Sequence, residues 1–506
     1  MKSFFTEKRI LIYIFLFALV LRLLMLNLHS VIETDGTYYV RMADNLFSGK
    51  GLVDIENQFQ TSLTPFYPVM IGLFNLIINN GELSARLVSI LFGALLIFPV
   101  YFIARRLFSK KTALITALVM SVYPALAYVS TITYTDSLFL FLLFTSILIL
   151  IKFLEKESIY NALFLGFMLS LCYLTRPEGF TYLLIAIFLT FIIKFKNFKE
   201  ILPKVLAIVL VFFLVASPYL AFLKEQTGSF SLSSKGYVIY KFREFKPYTL
   251  EYEKNIFSLN NDKTDVRLNP YTVKGSLVSE IFSDFYTFIS RYTYNLITEL
   301  VKSLPALFPL FPLSILGFMN RKKRKINLAL LLLAGYTILF FPIFWVESRY
   351  LLPILPILIM WAAESTSILE IIVNKKILIA GFSFLMLFLL VSNAFANHLI
   401  DKRFEKLDPP IEHKQAGLML KELYKNPIVM SRKPYISFYS NGYYVNLPYA
   451  SLKDTLNFAC YKDVQFLVAD SRYYSLRPEL MKELKNSNLE KVYNKEDIII
   501  YKLNCR

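Results

Sequence analysis

What most constrains this chain is the recurrence of apolar runs long enough to cross a bilayer, each bounded by charge. They fall at residues 10–28, 87–104, 112–128, 138–151, 162–174, 180–193, 205–222, 304–319, 326–345, 351–372 and 377–396. That is about eleven runs, each near the ~20 residues that a bilayer core requires. Overall, 56% of residues are hydrophobic and 18% are charged, more apolar than a soluble domain. A mainly α, polytopic membrane protein is predicted. The net charge of +18 could suggest nucleic acid, but the basic residues sit in short loops. Arg105, Arg106, Lys110 and Lys111 form one group, Lys194, Lys196, Lys199 and Lys204 another, and Arg321 to Lys325 the densest. Such clustering sets membrane orientation, so no nucleic-acid partner is expected. The first run lacks a small-residue cleavage site and reads as an uncleaved helix with a cytoplasmic N-terminus. Counting crossings then places the tail outside. Arg22, inside the first run, is expected either to snorkel to the outer surface or to face a polar cavity.

The first polar stretch after the first run reads ETDGTYYVRMADNLFSGKG, residues 33–51. Tyr39, Met42 and Leu46 fall at helical spacing, polar residues lie between them, and Gly49 is placed to end the helix. The pattern predicts a short amphipathic helix on the membrane surface, with Asp35 at its N-terminal end. Asp35 reads as an N-cap on local pattern and as a candidate general base on position. A second short interfacial helix is expected from TPFYPVMIGLF, residues 64–74. Three cysteines are widely spaced; Cys172 lies in an apolar run, so only Cys460 and Cys505 could pair, and no metal-ligand spacing is present.

Residues 1–397 read as the membrane domain, with a first outer loop at 29–86 and a long, structured outer loop at 224–300. Residues 398–506 differ in kind. Charge is frequent there, and no run is long enough to span. Strands are predicted at 428–431, 444–447, 464–470 and 498–503, with helices at 411–425, 451–461 and 478–485. The alternation indicates a small α/β domain outside the membrane.

Polar residues at the outer ends of the runs converge on one side: Asp35, Arg86, Asp136, Arg176, Glu178, Glu347 and Arg349. Carboxylates can deprotonate a hydroxyl, and guanidiniums match phosphate oxygens in a fixed fork. For each residue singly, orientation or headgroup contact is sufficient explanation; the set points to chemistry on a lipid-attached anion.

Several segments together resemble the GT-C glycosyltransferases of the protein-mannosyltransferase and aminoarabinose-transferase type, a family-39-like group. In order they are DGTYYVRMADNLFSGKGL, TPFYPVMIGLF, ARLVSILFGALLIFPVYFIARRLFSKKTALITALVMSVYP, TYTDSLFLF, LTRPEG and ESRYLLPILP. The resemblance implies a multi-pass protein of the cell membrane that transfers a sugar from a polyprenyl-phosphate donor to a hydroxyl of a lipid, glycan or protein on the extracytoplasmic face. By resemblance Asp35 matches the catalytic aspartate, Asp136 the second outer-loop acid, and Arg349 an arginine facing the carrier phosphate. Arg86 and Arg176 are further phosphate candidates. Tyr38, Tyr39, Glu178, Glu347 and Tyr350 are candidates for the substrate pocket. Family members often carry Asp-Glu where this chain has Asp35-Gly36, so a supporting acid must come from elsewhere. Phosphate leaves readily, so neither cofactor nor essential metal is expected. The competing class is a transporter or flippase of a lipid-linked or anionic substrate; no internal repeat supports it.

Overall fold

The computed structural model describes residues 2–505 apart from 243, 248, 270–274, 276, 308–309, 320–323, 345–346, 402–410 and 496. The chain begins with α1 (Lys2–Leu24), a short helix α2 (Thr34–Phe47) and a second short helix α3 (Phe66–Ile78). There follow α4 (Gly81–Leu95), α5 (Ile97–Leu107), α6 (Lys110–Val122), α7 (Pro124–Val129), α8 (Asp136–Glu155), α9 (Ile159–Thr175), α10 (Gly179–Ile193) and α11 (Phe198–Thr227). The long loop carries α12 (Lys235–Phe242), α13 (Leu250–Phe257) and α14 (Leu277–Ser283). It leads into α15 (Phe285–Leu307), α16 (Leu310–Phe318), α17 (Arg324–Phe340), α18 (Leu355–Ile372) and α19 (Lys375–Asp401).

Among the described residues, seven helical stretches are long and apolar enough to cross a membrane. The other four expected runs are shorter or broken. α9 and α10 are short apolar helices. Run 304–319 falls in α15 and α16, with 308–309 between them outside the described residues. Run 112–128 breaks into α6 and α7 because Pro124 has no N–H to donate and holds Tyr123 extended (φ −66°, ψ 119°). The break orphans carbonyls, and two buried side chains answer them. Asn393 Nδ2 donates to Val122 O at 2.8 Å. Arg22 Nη1 donates to Ser121 O at 3.0 Å and to Ala18 O at 3.1 Å. Arg22 therefore does not snorkel: it is buried, and its charge sits at the C-terminal end of α6, where the helix dipole favours a cation. Of the densest basic run, Arg321, Lys322 and Lys323 lie outside the described residues.

The tail forms a three-layer α/β unit from α20 (Ile411–Leu423), β1 (Ile428–Ser431), α21 (Tyr435–Tyr439), β2 (Tyr443–Asn446), α22 (Leu452–Tyr461), β3 (Phe466–Asp470), α23 (Pro478–Lys485), β4 (Lys491–Lys495) and β5 (Ile498–Lys502). The sheet order is β2-β1-β3-β5-β4, with β1 parallel to both neighbours and β5 antiparallel to both of its own. Successive side chains alternate between faces. Val429, Phe466, Val468 and Ile500 pack on Ala416, Leu420 and Ile436 from α20 and α21. Met430, Leu467 and Tyr501 pack on Phe458, Leu480 and Leu484 from α22 and α23. The expected strands and helices are present; α21 and β4 were not anticipated. Cys460 and Cys505 are bonded, tying the chain end to α22.

The long loop docks on this unit. Glu253 of α13 is fully buried and receives two bonds from Arg432 Nε (both 3.1 Å) and one from Nη2 (2.7 Å). Arg477 Nη1 lies 2.7 Å from its other oxygen.

Candidate active site

The amphipathic spacing of residues 34–47 buries Tyr39, Val40, Met42 and Ala43 and leaves Asp35 in the first turn of α2. Asp35 is not the cap. Glu33 occupies the N-cap position and makes no capping bond, because its carboxylate is drawn away to Thr133. Thr133 donates its N–H (3.0 Å) and its hydroxyl (2.5 Å) to Glu33 Oε2. This ties the first outer loop to the 130–135 turn that starts α8, whose first residue is Asp136. The close approach needs Gly36: a Cβ there would lie 1.9 Å from Thr133 Oγ1. Glu33, two residues before Asp35, is the acid that joins the two loops.

Asp35 and Asp136 meet at Arg349. Arg349 Nη2 is 3.6 Å from Asp35 Oδ2 and Nη1 is 3.8 Å from Asp136 Oδ2. Its Nε donates to Glu347 Oε2 at 2.6 Å, and its plane lies 4.2 Å from the Tyr134 ring centroid. Arg176, fixed by the turn between α9 and α10, donates to Asp136 Oδ1 (2.5 Å) and Glu178 Oε1 (3.2 Å). The Tyr350 ring stands 5.7 Å from each guanidinium and stacks on Phe341 at 4.8 Å. Tyr39 packs edge-on to Tyr67, and its burial and the nearby Asp35 charge push its hydroxyl far up.

The two aspartates differ in access. The side chain of Asp35 is 44% exposed and that of Asp136 only 3%. Several polar atoms in the cluster are buried without a hydrogen-bond partner: Asp136 Oδ2, Glu178 Oε2 and Arg176 Nε. Such orphans are costly in a finished core and mark places where a ligand can complete the bonding. Burial alone would raise Glu178, but Arg176 and Lys235 outweigh it and hold the carboxyl below its usual range. Lys235, at the start of α12, is lowered by burial against the opposing pull of Glu178.

Two expected residues lie elsewhere. Arg86 gives Nη2 to Val31 O (2.9 Å) and Glu82 (3.1 Å), and Nη1 to Thr131 O (3.2 Å). Its bonds go to backbone and Glu82, and Nη1 also lies 3.8 Å from Glu33 Oε1. Tyr38 donates to Glu56 at 2.6 Å, on the side facing the sheet unit. Lys235, Tyr134 and Glu33 were missed. Glu33 and Tyr134 flank residues already singled out; Lys235 sits in a loop without periodicity, and nothing local distinguishes it.

An ionic cluster, with one carboxylate open and guanidiniums at hand, lies at the ends of membrane helices on a GT-C, ArnT-like fold. The chain's similarities agree. Residues 62–222 match the family model described as dolichyl-phosphate-mannose-protein mannosyltransferase. ArnT from Cupriavidus metallidurans, bound to undecaprenyl phosphate, superposes with a TM-score of 0.62 at 13% identity over 97% of each chain. The Archaeoglobus fulgidus oligosaccharyltransferase tethered to an acceptor peptide gives 0.61 at 13% identity, over 99% of this chain and 74% of that one. The Archaeoglobus fulgidus AglB complex with an inhibitory peptide and a dolichol-phosphate gives 0.56 at 12% identity, over 99% and 74%. No curated protein matches the sequence.

Proposed function

We propose that this protein transfers a sugar from a polyprenyl-phosphate donor to a hydroxyl acceptor at the face that carries the sheet unit. The observation that carries this reading is the state of Arg349. Among the described residues it spends only Nε on a hydrogen bond, while Nη1 and Nη2 are held near Asp136 and Asp35 at distances beyond hydrogen bonding. A phosphate entering between them receives two parallel donors. The lipid phosphates bound by ArnT and AglB are ligands of the same chemistry.

Asp35 takes the proton of the acceptor hydroxyl, and the oxygen attacks the anomeric carbon. The bond from that carbon to the phosphate oxygen breaks, and its electron pair leaves with the polyprenyl phosphate. Arg349 stabilises the growing charge, with Arg176 and Lys235 behind it, a kind of term that is large in a water-poor site. Asp136 holds the guanidiniums in register. Glu178, Glu347, Tyr39 and Tyr350 line the pocket, and Asp35 is the residue an acceptor can reach. No observation favours the transporter reading.

Asp35→Asn is the test, because it is isosteric. Turnover of a polyprenyl-phosphate sugar by the purified protein should fall ~10²-fold or more, with donor binding retained. Normal turnover by this variant would remove Asp35 as base.

Orientation is part of the proposal: N-terminus in the cytoplasm, sheet unit outside. Basic loops at the opposite helix ends support it, and so does the Cys460–Cys505 bond, which suits an oxidising compartment.

A further inference from the structure

The sheet unit touches the membrane part at the segment that leads into Asp35. Residues 29–33 belong to no helix or strand, so their backbone groups must find partners outside the segment. Two of those partners come from the sheet unit, for Ile32 N–H and Ser30 O, and a further sheet-unit side chain bonds the Thr34 hydroxyl just beyond. Tyr439 accepts the Ile32 N–H at 2.9 Å and donates to Glu82 Oε2 at 3.0 Å. The Tyr435 hydroxyl is 2.6 Å from Thr34 Oγ1. Lys414 of α20 donates to Ser30 O at 3.2 Å and lies 3.4 Å from Glu82. Arg86 closes the ring, linking Glu82, Val31 O and Thr131 O.

Both tyrosine rings are buried, at 4% and 7% exposure. Phenylalanine would fill the same space. What only tyrosine supplies is the hydroxyl: that of Tyr439 bonds Ile32 and Glu82, that of Tyr435 bonds Thr34, and Ile32 and Thr34 flank Glu33, where α2 begins. A helix start shifted by a fraction of a turn re-aims every side chain of its first turn. Asp35 is in that turn. It is also more exposed than Asp136, so few contacts of its own hold it.

We infer that Tyr435 and Tyr439 are positioning residues: through Thr34 and Ile32 the sheet unit fixes where α2 starts and so aims Asp35. This rests on Asp35 being the base. It gives the tail a part in turnover, and it gives Arg86 a role other than phosphate binding.

The test uses the full-length protein carrying Tyr435→Phe and Tyr439→Phe, singly and together, assayed with a polyprenyl-phosphate sugar. The double variant should lose about 10-fold or more in kcat, the scale of a sub-ångström to ångström misplacement. Its KM for donor should stay at the wild-type value, and its thermal midpoint should fall no further than the loss of the buried hydroxyl bonds brings and stay above the assay temperature. In the Asp35→Asn background the same pair should cost nothing further, since there is no base left to aim. Unchanged kcat overturns the inference. So does a loss that tracks a midpoint fallen to the assay temperature, or an undiminished loss in the Asp35→Asn background. A fully active Asp35→Asn protein would instead sink the base reading, and this inference with it; an inactive one beside a fully active double variant would sink this inference alone.

Discussion

Gly36→Ala is the most demanding test of how the two outer loops are joined. The new methyl would lie 1.9 Å from Thr133 Oγ1, 2.7 Å from Thr133 Cβ and 2.9 Å from Ile32 Cγ1, where ordinary contact begins near 3.4 Å. Either α2 or the 130–135 turn must therefore give by about 1.5 Å. Thr133 cannot simply rotate away, because its hydroxyl is bonded to Glu33 at 2.5 Å. Overpacking of this kind costs ~1–3 kcal/mol of stability. The larger effect is on geometry, since α2 carries Asp35 and the turn carries Asp136. A misplacement near 1 Å costs ~10²-fold in rate. Turnover of a polyprenyl-phosphate sugar by purified Gly36→Ala should fall by that order while the protein remains folded. Adding Thr133→Ala removes the clashing oxygen and should restore part of the activity, even though Thr133→Ala alone loses one bond to Glu33. Wild-type turnover by Gly36→Ala would refute the close approach. Equal activity of the single and double variants would refute Thr133 as its cause.

Two further outcomes are expected. Glu56 sits at the seam with the sheet unit, taking bonds from Tyr38 (2.6 Å) and Asn446 (3.3 Å), and burial together with Asp54 pushes its carboxyl up to about 8. A raised carboxyl means the fold favours the neutral form, so this contribution is full below the ordinary carboxylate range and is lost as pH rises through about 8; the thermal midpoint should drop between pH 6 and 9, Glu56→Gln should flatten that drop, and equal drops in both proteins would exclude Glu56. Cysteine at position 414 should react with an impermeant label on intact cells and cysteine at 322 should not; labelling at 322 would reverse the proposed orientation.

The membrane class was legible because a bilayer imposes length: a run near twenty apolar residues has few other uses. Where runs were short or broken, as at Tyr123-Pro124, local hydropathy counted crossings that the helices divide. The tail's strands and most of its helices were legible for the same local reason, the change from helical spacing to alternation. β4 escaped because its residues, Lys491 to Lys495, are mostly exposed at a sheet edge. α21 escaped because five residues carry no measurable period.

The candidate site divides likewise. Asp35, Asp136, Arg176 and Arg349 could be named because charges at span ends are conspicuous against apolar sequence, and resemblance gave them an order. Composition also made Arg86 look like its fellows, a guanidinium at an outer end. Only tertiary packing decided that its donors go to Val31, Thr131 and Glu82. Lys235 was invisible, for its neighbour Glu178 is distant in the chain and near only after folding. The cap at α2 shows the same division. Position favoured Asp35, but Glu33 takes the cap place, and its carboxylate goes to Thr133, a hundred residues on in the chain. Hydropathy acts over neighbouring residues and is written locally; hydrogen-bond partners are set by distance in space, which the order of residues alone does not contain.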